Sequence, residues 1–183
     1  MIVKLTSGFP TRRKALGTVE CLRRSPWHWI CVRSPQTPPG MFYTRLHIWA
    51  AQLIVKTIDQ HADLSGGDNK SIIGYSDHNG ANQTWEALPG GNGWIFKNVA
   101  TGQYLGINGL ARDGTPVEGI HPPFEWHVKN DEGHPDTVRL FVPNTLFNMD
   151  LSDNGNATAG TKIQVWNKWT PGVNQCWRLV QVG

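Results

Sequence analysis

The sequence predicts an all-β fold of three internal repeats over residues 51–183, preceded by a basic extension over residues 1–50. Two observations carry this prediction. From residue 51 onward, apolar runs of strand length alternate with turns rich in Gly, Asn and Pro, and no stretch has the periodicity of a good helix. Two segments also share a sequence pattern, beginning with Asp-Leu-Ser and ending near Asn-Gln-x-Trp. They are "ADLSGGDNKSIIGYSDHNGANQTWEAL" (62–88) and "MDLSDNGNATAGTKIQVWNKWTPGVNQCWRLV" (149–180).

Composition separates the extension from the rest of the chain. The 183 residues include 39% hydrophobic and 17% charged residues, enough for the core of one domain with an appendage. The net charge of +3 conceals an asymmetry, because residues 1–50 carry eight basic residues and one acidic residue, whereas the remainder carries nine basic and thirteen acidic residues. Proline-rich "SPQTPPG" (34–40) and the lack of periodicity indicate a poorly ordered extension, or a stretch outside the native coding sequence.

The extension is therefore expected to be dispensable, and a chain beginning near Gln52 should fold. A basic, aromatic segment that touches nucleic acid or a membrane is the minor alternative.

The three cysteines, Cys21, Cys31 and Cys176, give no disulfide framework and no zinc spacing. A Cys21–Cys31 bridge is allowed but not demanded. No apolar run approaches the length of a membrane span. The start has no secretory signal, although "LHIWAAQLIV" (46–55) would mimic one if Met41 were the true start. We expect a reduced, cytoplasmic protein.

The repeats come into register on Asp63, Gly106 and Asp150. An apolar run begins 12 residues before each anchor, and a tryptophan closes each unit 22, 20 or 27 residues after it. The units span about 51–88, 91–130 and 136–183, with some four short strands each. One unit cannot bury its own apolar face, so we expect three to pack around an axis with the closing tryptophans inside. These are Trp85, Trp126 and Trp177.

Three units that each close on a tryptophan, two of them through an Asn-Gln-x-Trp signature, resemble the ricin-B-type lectins, and the segment "DLSGGDNKSIIGY" is most similar to the small fungal members. The resemblance covers about residues 51–183. It implies a β-trefoil, a six-stranded barrel capped by three hairpins with pseudo-threefold symmetry. It also implies a carbohydrate-binding protein whose partners are glycans or glycoproteins.

The family's sugar pocket combines an Asp at the start of the unit, a Gln two residues before an aromatic, that aromatic, and the Asn-Gln of the signature. The third unit supplies them all, as Asp150, Gln164, Trp166, Asn174 and Gln175. A carboxylate accepts from vicinal sugar hydroxyls, an amide reads hydroxyl orientation, and an indole gives a rigid plane for the apolar face of the ring. We expect Asp150 to accept two hydroxyls, and Asp150→Ala to leave thermal stability almost unchanged.

The first unit is a partial copy. Asp63, Tyr75, Asn82 and Gln83 match, but Ile73 stands where the third unit has Gln164. Tyrosine can stack on a sugar, so a second pocket of altered specificity is predicted here.

The family's small fungal members also use a His-Gly segment before the signature. In this chain "DHNGANQ" makes Asp77, His78, Asn79 and Gly80 lesser candidates.

The middle unit departs most from the pattern. Gly106 replaces the Asp, and Phe124-Glu125-Trp126 replaces Asn-Gln-x-Trp, so this unit is interpreted as structural.

Structural roles stay open for several of these residues. Each signature Gln could serve its loops rather than a sugar. Each anchor Asp could cap a turn. Trp169 is as eligible as Trp166 for stacking.

No catalytic motif, metal site or cofactor site is predicted, so the chain is interpreted as a binder and not an enzyme. The alternative binder is a β-trefoil protease inhibitor, like the fungal mycocypin-like and Kunitz-type proteins, acting through a surface loop. Nucleic-acid binding and membrane insertion are not expected, and homodimer formation is left open.

Overall fold

The computed structural model describes residues 19–25, 28–33, 49–55 and 58–182. The chain divides into two compact units, Met1–Arg45 and Leu46–Gly183. In the first unit, strands β1 (Val19–Ser25) and β2 (His28–Arg33) form an antiparallel hairpin, in whose register Cys21 lies opposite Cys31. The rest of the extension, which the sequence predicts to be poorly ordered, lies outside the described residues. A disulfide between Cys21 and Cys31 also stays a prediction, because their side chains are not described.

Among its described residues, the second unit contains twelve strands, four in each predicted repeat. The first repeat has β3 (Trp49–Val55), β4 (His61–Leu64), β5 (Ile72–Tyr75) and β6 (Trp85–Pro89). The second has β7 (Trp94–Asn98), β8 (Tyr104–Ile107), β9 (Thr115–Ile120) and β10 (His127–Asn130). The third has β11 (Val138–Phe141), β12 (Phe147–Leu151), β13 (Thr161–Asn167) and β14 (Trp177–Gln181).

Short helical turns complete the first and third repeats. A 3₁₀ turn precedes the closing tryptophan in each, at Ala81–Gln83 and Val173–Gln175. The turn Ser152–Gly155 contains two left-handed residues, Asp153 (φ 53°) and Asn154 (φ 54°), types that tolerate this conformation. None of the helices among the described residues has the length and apolar character needed to cross a bilayer.

Six strands close into a barrel. Strand β3 pairs with β6 and β14, β6 with β7, and β11 with β10 and β14. The ring is completed between β7 and β10 by reciprocal backbone hydrogen bonds between Trp94 and Trp126, at 2.9 and 2.7 Å. Because every barrel strand has two neighbours, the ring leaves no open edge.

The other six strands form three hairpins that cap the barrel. They are β4–β5, β8–β9 and β12–β13. Strand β13 pairs with both β5 and β9, and a bridge between Ser71 and Glu118 joins the remaining two hairpins. A six-stranded barrel with three interlocked hairpins is a β-trefoil, as the sequence resemblance implies.

The closing tryptophans sit in the core, as predicted. Trp85, Trp126 and Trp177 are each 0% exposed. Their indoles make one repeated contact, in which Nε1 donates to the carbonyl of the residue just before the anchor position. The acceptors are Ala62, Leu105 and Met149, at 2.9–3.0 Å.

The barrel begins earlier than residue 51. Trp49 and Ala50 belong to β3 and pair with Ala87 and Glu86 of β6. Gln52 lies inside this strand and is itself buried. A chain beginning near Gln52 would therefore lack part of a barrel strand, and the structure moves the useful truncation point to Leu46, where the second compact unit starts.

Candidate functional site

The third repeat brings its five predicted site residues together. Asp150 on β12 lies directly opposite Gln164 on β13, so the two side chains share one face of the hairpin. The 3₁₀ turn Val173–Gln175 then carries the signature Asn and Gln back to the same carboxylate. Three segments distant in sequence thus converge on one buried acid, which is 3% exposed.

Three amides hold the Asp150 carboxylate. Gln164 donates to Oδ1 at 3.2 Å, while Asn174 and Gln175 donate to Oδ2 at 2.8 and 3.0 Å. A carboxylate has about four acceptor positions, so about one remains for a ligand. The expectation that Asp150 accepts two sugar hydroxyls is therefore revised to one.

The same contacts revise the expected effect of Asp150→Ala. The carboxylate satisfies three amide donors that are themselves buried or nearly so. Removing it leaves the Gln164 amide without an acceptor among the described residues, whereas Asn174 and Gln175 each lose one of two acceptors and keep the Leu151 and Asn167 carbonyls. An unsatisfied buried donor destabilises the fold by about 1–3 kcal/mol. The variant should therefore lose stability as well as affinity.

Burial raises the pKa of Asp150, because a charged carboxylate is poorly solvated there. Hydrogen bonds from Gln164, Gln175 and Asn174 act in the opposite direction, as does the positive charge of Arg139. Desolvation thus favours the protonated acid, whereas the three amide donors and Arg139 favour the charged carboxylate, and desolvation has the larger effect.

Above Asp150 lies an open cleft of about 760 Å³. Trp166 and Trp169 both line it and are 40% and 37% exposed, so both indoles offer an apolar plane to a ligand. Asn174 also lines it, and its buried Oδ1 has no hydrogen-bond partner among the described residues. The Asn174 amide cannot turn over, because its nitrogen is held by two acceptors, Asp150 and the Leu151 carbonyl. Asn174 therefore keeps a buried acceptor that no described residue uses, in a side chain that lines the cleft.

The first repeat builds a similar but distinct cluster around Asp63, which is 3% exposed. Asn82 donates to its Oδ1 at 2.9 Å and to the Leu64 carbonyl at 3.1 Å, the same pair of contacts that Asn174 makes in the third repeat. Gln83 does not reach the carboxylate; its amide nitrogen donates to the Ser76 carbonyl. Of the four residues predicted for this pocket, Gln83 therefore holds the loop that contains Ser76 and His78 and does not contact Asp63.

His78 takes the position at Asp63 that sequence reasoning gave to glutamine. Its Nε2 lies 2.9 Å from Oδ2 of Asp63, and its ring meets Tyr75 edge-on with centroids 6.0 Å apart. Gly80 permits this arrangement, since a Cβ there would lie 2.2 Å from the imidazole and 2.4 Å from Asn82 Oδ1. His78 and Gly80, lesser candidates in the sequence, are thus central to the geometry, whereas Tyr75 is 40% exposed beside them.

The second repeat has no room for such a pocket. A Cβ on Gly106 would lie 2.5 Å from Ile120 Cδ1 and 2.6 Å from Phe124 Cβ. The Phe124 ring packs edge-on against Trp126, with centroids 5.1 Å apart. Glu125 accepts from the backbone amides of Gly91 and Asn92, both at 2.8 Å, and so fixes a loop.

A cluster of potential metal ligands also lies near the third pocket. Ligand atoms of Asp131, His134 and Cys176 fall within 4.8 Å of one another. His134 Nδ1 already contacts Asp131 Oδ1 at 2.9 Å, and Arg139 donates to Oδ2 of the same carboxylate at 2.5 Å. A permanent guanidinium charge against the cluster opposes a cation there, so these contacts account for it as a polar network.

Comparison with known proteins gives a consistent result. Residues 81–166 match the family described as ricin-type β-trefoil lectin domain-like. The ricin B-like lectin of Macrolepiota procera, solved in complex with lactose, is 41% identical, over 73% of this chain and 95% of that one, with a TM-score of 0.71. No curated protein matches the sequence.

More distant structures share the fold. The agglutinin of Rhizoctonia solani is 20% identical over 80% of this chain and 100% of that one, with a TM-score of 0.64. The Polyporus squamosus lectin, bound to a human-type influenza-binding epitope, is 21% identical over 72% of this chain and 48% of that one, with a TM-score of 0.62.

Proposed function

Because this chain belongs to the ricin-type β-trefoil lectin family, we propose that it binds galactose-containing glycans of the lactose type. The proposed pockets are the third-repeat cleft around Asp150 and the first-repeat cluster around Asp63. The lactose complex of the Macrolepiota procera lectin, at 41% identity, supports this ligand class.

One observation carries the proposal. In the third repeat one cleft is lined by Asp150, whose buried carboxylate has about one remaining acceptor position, by Asn174, whose Oδ1 has no partner among the described residues, and by two half-exposed tryptophans. A hexopyranose presents hydroxyls on one edge and C–H groups on a face, and this arrangement is complementary to both. Shallow pockets of this kind bind in the range of about millimolar to micromolar.

The proposed mode is binding without hydrolysis. Glycoside hydrolysis uses a pair of carboxyl groups on either side of the scissile bond. Asp153 also lines the cleft, but it is exposed, whereas Asp150 is fixed behind three amides. Prolonged incubation with lactose, followed by chromatography of the sugars, should show no release of glucose.

The natural relatives reported above are lectins, so they favour this function over the protease-inhibitor alternative. Two expectations from the sequence stay predictions: a cytoplasmic location and the absence of nucleic-acid partners. Whether the protein forms a homodimer stays open.

The test is a glycan array followed by calorimetric titration with lactose. We expect galactose-terminated glycans to be selected, and Trp166→Ala to weaken the third pocket. If the protein binds no glycan and inhibits proteases in a panel, the protease-inhibitor function would replace sugar binding as the favoured one.

A further inference from the structure

A buried arginine lies behind the third pocket, and sequence reasoning assigned it no role. We propose that Arg139 is a positioning residue for sugar recognition, which holds the Gln175 amide against the Asp150 carboxylate and so presets the third-repeat pocket. The inference rests on the proposed sugar-binding function of that pocket.

Arg139 is 3% exposed, and its guanidinium donates in several directions. Nε reaches Asp131 Oδ2 at 2.5 Å, and Nη1 reaches Gln175 Oε1 at 2.5 Å and Asn148 Oδ1 at 3.3 Å. Nη2 reaches the carbonyls of Pro171 and Gly172 at 3.1 and 3.3 Å. A planar fork with five N–H donors is suited to such a set, and lysine cannot reproduce it.

The consequence for Gln175 is a fixed amide orientation. Its oxygen accepts from Arg139 and from the Trp169 backbone N–H, the latter at 3.3 Å. Its nitrogen must then face the acceptors on the other side, Asp150 Oδ2 at 3.0 Å and the Asn167 carbonyl at 3.1 Å. The guanidinium therefore reinforces the amide orientation that the backbone contacts also favour and that places a donor on the Asp150 carboxylate.

The first repeat is an internal comparison. Gln52 lies 11 residues before Asp63, just as Arg139 lies 11 residues before Asp150. There the signature Gln83 accepts from the His78 backbone N–H at 3.1 Å and donates to the Ser76 carbonyl. Gln83 thus has the same amide orientation as Gln175 without an arginine, but it makes no contact with Asp63 among the described residues, where His78 Nε2 lies 2.9 Å from Oδ2.

Arg139 also acts on the Asp150 charge. Burial raises the pKa of Asp150, and the Arg139 charge opposes that rise. The other charged side chains lining the cleft are Asp153 and Lys162, both exposed. The Arg139 guanidinium forms an ion pair with Asp131, and His134 contacts the same Asp131 carboxylate. Loss of the guanidinium should therefore shift the acid limit of sugar binding toward neutral pH.

The experiment follows the Trp166 indole N–H by ¹⁵N NMR while full-length protein is titrated with lactose over a pH series. The variants are Arg139→Gln, which installs the residue type of the first repeat, and Arg139→Lys. The matched control is Arg178→Gln, which removes an arginine that is paired with Asp59 away from the cleft.

For Arg139→Gln we expect affinity at Trp166 to fall about tenfold and the pH midpoint of binding loss to rise. Arg139→Lys should keep the wild-type pH midpoint while recovering only part of the affinity. Arg178→Gln should match the wild type in both. Wild-type affinity and an unmoved midpoint in Arg139→Gln would overturn the positioning role alone.

If Arg139→Gln does not fold, Asp131→Asn decides the question. It leaves the arginine in place but removes its paired carboxylate, so the midpoint should move to lower pH, opposite to the expected shift for Arg139→Gln. An unchanged or raised midpoint would contradict the inference. If lactose binds the wild type without moving the Trp166 signal, the third pocket fails as a sugar site and this inference falls with it.

Discussion

The Trp126 indole donates from Nε1 to the Leu105 carbonyl at 2.9 Å, although its repeat has Gly106 in place of the anchor Asp. Trp85 and Trp177 make the same contact to the residues just before their own anchors. The closing tryptophan therefore belongs to the core in every repeat, whether or not the anchor position holds an Asp.

Trp126→Ala should lower the free energy of unfolding by about 3–5 kcal/mol, because it leaves a large cavity and an unsatisfied carbonyl in the core. Urea denaturation measures the change. Lactose affinity of the folded fraction should stay near the wild-type value, since the second repeat has no pocket. A near-neutral effect on stability would be incompatible with the observed burial of Trp126.

Trp166→Ala should weaken lactose binding at the third pocket about tenfold, because the sugar loses its stacking surface. The unfolding free energy should fall by less than the about 3–5 kcal/mol expected for a fully buried tryptophan, as the side chain is 40% exposed. Calorimetry and thermal melts give the two values. Leu146→Ala is the control, since this leucine is 66% exposed but does not line the cleft; equal losses in both variants would argue against stacking.

Lactose affinity at the third pocket should fall on mild acidification, at a pH above the ordinary aspartate value of 3.8. Burial raises the pKa of Asp150, and the protonated acid loses an acceptor for the sugar hydroxyl. A raised folded-state pKa means that the native state binds this proton more tightly than the unfolded state does. Through this group alone, stability rises as pH falls through that window, so acid release of sugar is not Asp150-driven unfolding.

Titrations against pH, with thermal melts at each point, separate these effects. Asp153→Asn, which changes an exposed carboxylate of the same cleft, should leave the midpoint in place. If the midpoint shifts in Asp153→Asn, the carboxylate that controls the pH dependence is Asp153 and not Asp150.

Asp63→Ala should reduce the number of lactose sites from about two to about one, because the first-repeat cluster is organised on that carboxylate. Calorimetric stoichiometry is the measurement, and the Trp166 signal should still respond. Two sites remaining in Asp63→Ala would exclude the first pocket, whereas loss of the Trp166 response would mean that the repeats are coupled.

A chain beginning at Leu46 should melt at the temperature of the full chain, since it keeps all of β3. A chain beginning at Gln52 should melt lower or be insoluble, because it lacks the Trp49 and Ala50 pairs with β6 and the fully buried Ala51. Thermal melts of the two proteins test this. Equal stability of both would show that the start of β3 contributes little.

The sequence by itself determined the trefoil. The anchors Asp63, Gly106 and Asp150 and the closing tryptophans recur at near-constant offsets, and such spacing survives only where each repeat places the same residue in the same part of a shared core. It also singled out five third-repeat residues that lie together around Asp150 and its cleft, and their sugar-binding role stays a prediction from the resemblance.

Tertiary structure decided how each carboxylate is held. The sequence could not show that Gln83 turns to the Ser76 carbonyl while Gln175 reaches Asp150, since both occupy the same position in the same signature. Both amides accept from a backbone N–H and donate to a backbone carbonyl, but only Gln175, whose oxygen also accepts from Arg139, reaches its anchor carboxylate. At Asp63 that place is taken by His78, for which Gly80 leaves space. Side-chain amides take the orientation that their neighbours' donors and acceptors impose, and those neighbours are brought together only when the barrel closes.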